Sequence, residues 1–286
     1  MRLPVALGIG LLVAVLSGLA PPATGRVAGA VLVGAGDIAR CSSDRDEATA
    51  ALVRDIRGTV FTTGDNAYPD GSARQFRRCY DPSWGSFLRR TRPSPGNHDY
   101  HTPDASGYFG YFGDRAGPDT RGFYVYARGS WRIYSLNSER ITRRQLEWLE
   151  ADLAAHPSRC SMAYFHHPRF SSGYHGNDRR VRGFWARLYD AGVELVVNGH
   201  DHDYERFAPM RPNGTRHWKG IREFVVGTGG TALRPFAEVQ PHSVARQADV
   251  HGVLKLRLGD DGYRWRFLSV DGIWTDAGSA RCYGRP

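Results

Sequence analysis

Apolar residues fall in short bursts along this chain, and a glycine-bearing polar turn follows most of them. Residues 31–33 read as a buried strand and 59–63 as a second, because each is a compact β-rich run bounded by turn residues. Between them, Ala48, Leu52, Val53 and Ile56 recur near a 3.6 period and predict a helix over 44–57. Residues 71–95 mix tryptophan, glycine and proline and predict a loop-rich insertion. Residues 123–126 and 131–136 predict paired strands joined through Arg128-Gly129-Ser130. A helix is predicted over 142–156: Thr142 is a candidate N-cap, Leu146, Leu149 and Leu153 give one apolar face, and Pro157 stops it. Further strands are expected at 162–165, 195–197 and 224–226, and a helix at 178–190. Residues 253–258 and 263–270 read as a closing hairpin around Asp260-Asp261-Gly262.

Strands alternating with helices argue for an α/β domain, and the later run of strands suggests a second sheet. No solenoid-length repeat and no Gly/Ser linker divides the chain, so residues 27–286 are taken as one catalytic-size domain. Residues 1–25 differ. Arg2 is their only charge, residues 3–20 are nearly all apolar, and small residues and prolines follow. That order is the shape of a secretory signal peptide cut between residues 20 and 28, with an uncleaved anchor as the rival reading. The expected location is therefore secreted or elsewhere in the cell envelope, with no stable membrane association after cleavage. Cys41, Cys79, Cys160 and Cys282 form an even set that suits disulfides in an exported protein. Four cysteines allow three pairings, and the sequence leaves all three open. No CxxC spacing favours a zinc–thiolate site.

The formal charge of +9 is almost all arginine, since Lys219 and Lys255 are the only lysines. Arginine suits phosphate through its planar fork, and a basic surface attracts anionic substrates or wall polymers. The arginines are scattered and no aromatic-basic stripe appears, so no nucleic-acid partner is expected. Oligomeric state is not legible.

Candidate chemistry lies just beyond the apolar bursts. Gly36-Asp37, Gly64-Asp65-Asn66-Ala67-Tyr68, Gly96-Asn97-His98-Asp99, His166-His167-Pro168 and Gly199-His200-Asp201-His202 occur in that order. In α/β sheets the loops beyond strand carboxyl ends form the binding crevice, so these side chains can converge there. Together they supply carboxylate, phenol, amide and imidazole donors enough for a pair of cations. The Gly227-Thr228-Gly229-Gly230 turn lacks the lysine of a phosphate-binding P-loop, and no Gly-x-Ser-x-Gly elbow is present.

These motifs resemble the calcineurin-like metallophosphoesterase superfamily, and within it the purple-acid-phosphatase-like branch. The segment Gly199-His-Asp-His-Asp-Tyr-Glu-Arg206 continues past His202 as that branch does. Many members carry a histidine two residues after the first aspartate. Here that place is Ala39, and Tyr68 fills the gap, as in the purple acid phosphatases. The resemblance implies a four-layer αββα sandwich of two stacked mixed sheets flanked by helices. It implies that Asp37, Tyr68 and His202 hold one metal, that Asn97, His166 and His200 hold another, and that Asp65 bridges them. His166 is favoured over His167 by its spacing to Pro168. A hard phenolate donor points to Fe³⁺, paired with a divalent ion (Fe²⁺, Zn²⁺ or Mn²⁺). His98 is placed to bond phosphoryl oxygens, and His175 to protonate the leaving alcohol. Asp99 orients His98 or caps a turn. The implied activity is hydrolysis of small phosphate monoesters by a metal-bound hydroxide. A phosphodiesterase or nuclease on the same site is the rival enzyme reading. A non-catalytic module that binds anionic polymers is the rival from another class.

Overall fold

The computed structural model describes Met1 and residues 29–284. The expected signal segment, residues 1–25, lies outside the described residues apart from Met1. Two large sheets form the molecule. The first contains β1 (Ala30–Ala35), β3 (Thr59–Thr63), β5 (Thr91–Ser94), β13 (Gly252–Leu258), β14 (Gly262–Ser269) and β15 (Ala277–Arg281), in the order β15-β14-β13-β1-β3-β5. The second contains β6 (Tyr124–Arg128), β7 (Trp131–Ser135), β8 (Cys160–Tyr164), β9 (Leu195–Asn198), β10 (Tyr204–Phe207), β11 (Arg222–Val226) and β12 (Ser243–Gln247), in the order β12-β10-β11-β9-β8-β7-β6. A two-stranded parallel ribbon joins β2 (Ala39–Arg40) to β4 (Ala67–Tyr68). The helices are α1 (Arg45–Arg54), the single turn α2 (Ala73–Gln75), α3 (Ser106–Phe112), α4 (Arg143–Ala155) and α5 (Arg182–Asp190). This is the expected mixed sandwich of two sheets flanked by helices.

The apolar bursts are unbroken because the central strands are covered on both faces. Along β8 and β9 the side chains alternate. Met162, Tyr164, Leu195 and Val197 enter the core between the sheets, which also holds Leu32, Phe61, Leu254 and Phe267. Ala163 and Val196 face the other way, into a second cluster with Leu149 of α4 and Phe184, Trp185 and Leu188 of α5. A period of two thus divides each strand between two cores.

Most predicted elements are present with shifted ends. The helix at 44–57 is α1 and stops at Arg54. The helix at 178–190 begins only at Arg182. Thr142 caps α4 as expected, its side chain accepting the Gln145 N–H at 3.2 Å. The insertion at 71–95 needs correction: it holds short helical turns, and its last residues form β5, paired in parallel with β3. Thr-Arg-Pro-Ser has no apolar run, and its proline is tolerated because β5 is an edge strand. Strands β10, β12 and β15 and helix α3 also went unread in the sequence.

The four cysteines pair as Cys41–Cys79 and Cys160–Cys282. Among the described residues no helix is long and apolar enough to cross a membrane.

Candidate metal centre

The sheets' strand order explains how distant motifs meet. β1, β3 and β5 run parallel in one sheet, and β8 and β9 run parallel in the other. Asp37, Asp65, Asn97, His166 and His200 each lie within three residues beyond the carboxyl end of one of these strands. Backbone bonds stitch the loops together: Asp37 N–H to Gly64 O at 3.1 Å, Gly36 N–H to Val226 O at 2.9 Å, and Gly199 N–H to His166 O at 3.0 Å. Space is made by glycine. A Cβ on Gly64 would stand 2.6 Å from His166 Nδ1, and one on Gly96 would stand 2.2 Å from Asp65 Oδ1. Asp37, Asp65 and His200 adopt left-handed backbone, with φ of 59°, 51° and 72°. Such residues cost on the order of 1–3 kcal/mol each and persist where surrounding structure holds them, commonly at functional sites.

All seven expected ligands come together; Asp37, Asp65, Tyr68, His166 and His202 are buried, and Asn97 and His200 are partly so. The Tyr68 hydroxyl lies 2.7 Å from Asp37 Oδ1 and 2.9 Å from Asp65 Oδ2, its one hydrogen serving either carboxylate, and 3.3 Å from His202 Nε2. His202 Nε2 is 3.4 Å from Asp37 Oδ1. On the other side of Asp65, His166 Nε2 lies 3.3 Å from Asp65 Oδ2, 3.0 Å from Asn97 Oδ1 and 3.2 Å from His200 Nδ1. Ligand atoms of Asp37, Asp65 and His166 all fall within 4.8 Å of one another. Asp65 is the member shared by both halves.

The donor chemistry fits cations. His166 Nδ1 faces Thr63 O and His202 Nδ1 faces Ala232 O, both at 2.8 Å, so these nitrogens carry the hydrogens. The bare Nε2 lone pairs then face carboxylate and amide oxygens, an arrangement that repels itself until a positive charge sits between. A proton is the substitute. Burial opposes it, yet the Asp65 charge pushes the His166 pKa up to about 10. Asp65 is driven far below the carboxylate range, because His166, His98 and His200 outweigh its burial. Burial and the two carboxylates push Tyr68 well above its ordinary value, so only a strong Lewis acid would hold it as phenolate.

His167 turns away, with Nδ1 2.7 Å from Glu139 Oε1, which leaves His166 as the inward member of the pair. His98 lies at the rim. Its backbone N–H donates to Asp65 Oδ1 at 2.8 Å, its ring packs 4.4 Å from that of Tyr68, and Nε2 is 3.9 Å from Asp65 Oδ2. Asp99 does not orient that ring. It accepts N–H groups from Gly96 and Asn66 and so braces the turn carrying Asn97. His175 packs over His200, with ring centroids 4.2 Å apart, and its backbone N–H donates to Asp201 Oδ1 at 2.7 Å. Arg234 donates to His175 Nε2 at 2.8 Å, and burial together with this guanidinium holds the imidazole below its ordinary pKa. Arg234 escaped the sequence reading because it sits in an irregular loop without a motif. The glycine turn 227–230 packs against the Asp37 loop, with Gly229 N–H bonded to Gly36 O at 2.9 Å.

The sequence profile of the calcineurin-like phosphoesterase family matches residues 32–204. The chain belongs to the calcineurin-like phosphoesterase family. Within this family it falls in the purple-acid-phosphatase-like branch. It is 28% identical to human acid phosphatase type 7 over 268 residues, covering 76% of this chain and 59% of the relative. It is 24% identical over 265 residues to an Arabidopsis thaliana protein named probable inactive purple acid phosphatase 1, covering 74% of this chain and 41% of the relative. The purple acid phosphatase PPD1 of yellow lupin seeds shares the fold, with a TM-score of 0.68 at 19% identity, covering 89% of this chain and 54% of that one. The chain therefore spans between 41% and 59% of these relatives' length.

Proposed function

We propose that this calcineurin-like phosphoesterase is an exported two-metal phosphatase acting on small phosphate monoesters. The observation that carries the reading is the double set of inward-facing lone pairs around Asp65. One set consists of Asp37, Tyr68 and His202. The other consists of Asn97, His166 and His200. Paired cations there would supply hydroxide from water and neutralise charge on the phosphoryl oxygens. Fe³⁺ suits the phenol-bearing half and a divalent ion (Fe²⁺, Zn²⁺ or Mn²⁺) the imidazole-rich half. His98 reaches the open side of Asp65 and would bond a phosphoryl oxygen. His175, once released from Arg234, would hold a proton at Nε2 for the leaving alcohol. Two disulfides and an apolar leader support export.

The test is hydrolysis of p-nitrophenyl phosphate by metal-loaded protein, with elemental analysis of the same sample. Asp65→Ala is expected to reduce turnover to background and lower metal content. Full turnover by that variant in metal-depleted buffer sinks the reading, and a preference for an aryl diester over the monoester redirects it to a phosphodiesterase.

A further inference from the structure

Next to the ligand cluster is a cavity whose charge the cluster does not use. Arg40, Tyr68, Pro69, Arg74, Gln75 and Arg78 line a volume of ≈ 500 Å³. Tyr68 is the shared wall: its hydroxyl meets Asp37 and Asp65, and the Arg40 guanidinium lies over its ring, 5.2 Å from the centroid. The β2–β4 ribbon sets this contact, because Arg40 pairs in register with Tyr68. Arg74 and Arg78 are four residues apart on one helical segment and so share a face. That segment is fixed at its start by a reciprocal cap between Ser72 and Gln75. The Cys41–Cys79 disulfide ties the two walls, each half-cystine being adjacent in sequence to a pocket arginine.

Among the described residues none of the three arginines has an ion-pair partner. Asp70, the acid of this segment, is bonded by Gln75 Nε2 at 3.2 Å and lies 3.8 Å from His101 Nδ1. Three arginines border one cavity with no carboxylate paired to them, and an anion there can accept from their forks. We propose that this pocket is a second anion subsite. Its ligands are phosphate esters bearing a second phosphate or similar strong anion, with Tyr68 standing between the pocket and the Asp37–Asp65 pair. The substrate claim rests on the phosphatase reading, whereas anion binding in the pocket does not.

The test compares the metal-loaded wild type with the Arg74→Gln/Arg78→Gln variant on p-nitrophenyl phosphate and on fructose 1,6-bisphosphate. Calorimetric titration of the bisphosphate into metal-free protein runs beside it. Loss of two charge-assisted contacts is expected to raise KM for the bisphosphate about tenfold to a hundredfold, with little change in kcat. KM for p-nitrophenyl phosphate, which has no second anion, is expected to move far less. Binding to metal-free protein is expected to weaken in parallel with the bisphosphate KM. Equal shifts for both substrates, or unchanged bisphosphate binding by the metal-free variant, overturn the subsite. If the wild type hydrolyses neither compound, the phosphatase reading fails and the titration alone decides the pocket.

Discussion

Tyr68 concentrates the residue-scale argument. Its hydroxyl is within 3.3 Å of two carboxylates and an imidazole, and burial beside those charges makes the free phenol reluctant to ionise. A trivalent ion is the partner able to take that proton at ordinary pH. Iron-loaded protein is therefore expected to show a visible charge-transfer band that Tyr68→Phe abolishes, read by absorbance on samples of equal iron content. A band that survives the substitution rules out the phenolate. The place of Tyr68 beside Asp37 and Asp65 followed from the family resemblance, in which Ala39 stands where many members carry a histidine and the tyrosine comes three residues after Asp65. The left-handed backbone at Asp37, Asp65 and His200 was not legible, since only packing of one loop on another enforces it. Arg234 was hidden for a related reason: its contact with His175 joins residues 59 apart that share no local pattern.

At the scale of elements, β10 turns a family-marking tripeptide into structure. Tyr204 and Arg206 point into the sandwich, where Asp276 accepts from Tyr204 Oη at 2.7 Å and from Arg206 Nε at 2.6 Å. Asp276 also accepts from Trp265 Nε1 of β14 at 3.1 Å, so one carboxylate braces both sheets. Glu205 points the other way and accepts from Ser172 N and Oγ, fixing the loop that carries His175. Sequence showed the tripeptide and not the brace, because Asp276 lies 70 residues from Arg206. Asp276→Ala strands a partly buried guanidinium and is expected to lower the unfolding free energy by about 1.5–3 kcal/mol, read from denaturant midpoints. Burial raises the Asp276 pKa, but Arg206 and Tyr204 outweigh it and hold the carboxyl below its ordinary value. A depressed folded pKa gives stability that is present above the unfolded value, near 4, and is lost as the pH falls through the folded one. The gap between wild type and variant is thus expected to close below about pH 4, and a pH-independent gap would remove the charged brace.

At the scale of the molecule, chemistry and cross-linking occupy opposite ends of the same strand. Cys160 begins β8, whereas His166 lies beyond its last residue, a separation of about 20 Å along an extended chain. The Cys160–Cys282 bridge ties β8 to the segment after β15 and closes a separation of 122 residues, an upper estimate of about 5 kcal/mol from chain entropy. Cys41–Cys79 closes 38 residues, about 4 kcal/mol by the same reasoning, but its walls are those of the arginine pocket. The two bridges should therefore separate stability from specificity. Replacing Cys160 and Cys282 by alanine is expected to lower the denaturant midpoint while leaving KM for both a mono- and a bisphosphate near wild type. Replacing Cys41 and Cys79 is expected to lower the midpoint and also to erode the bisphosphate preference, because Arg40 and Arg78 lose their common tether. Should the distal pair alter substrate preference as much as the proximal pair does, the anion pocket is not what the proximal bridge maintains. Both bridges would then act through overall rigidity alone.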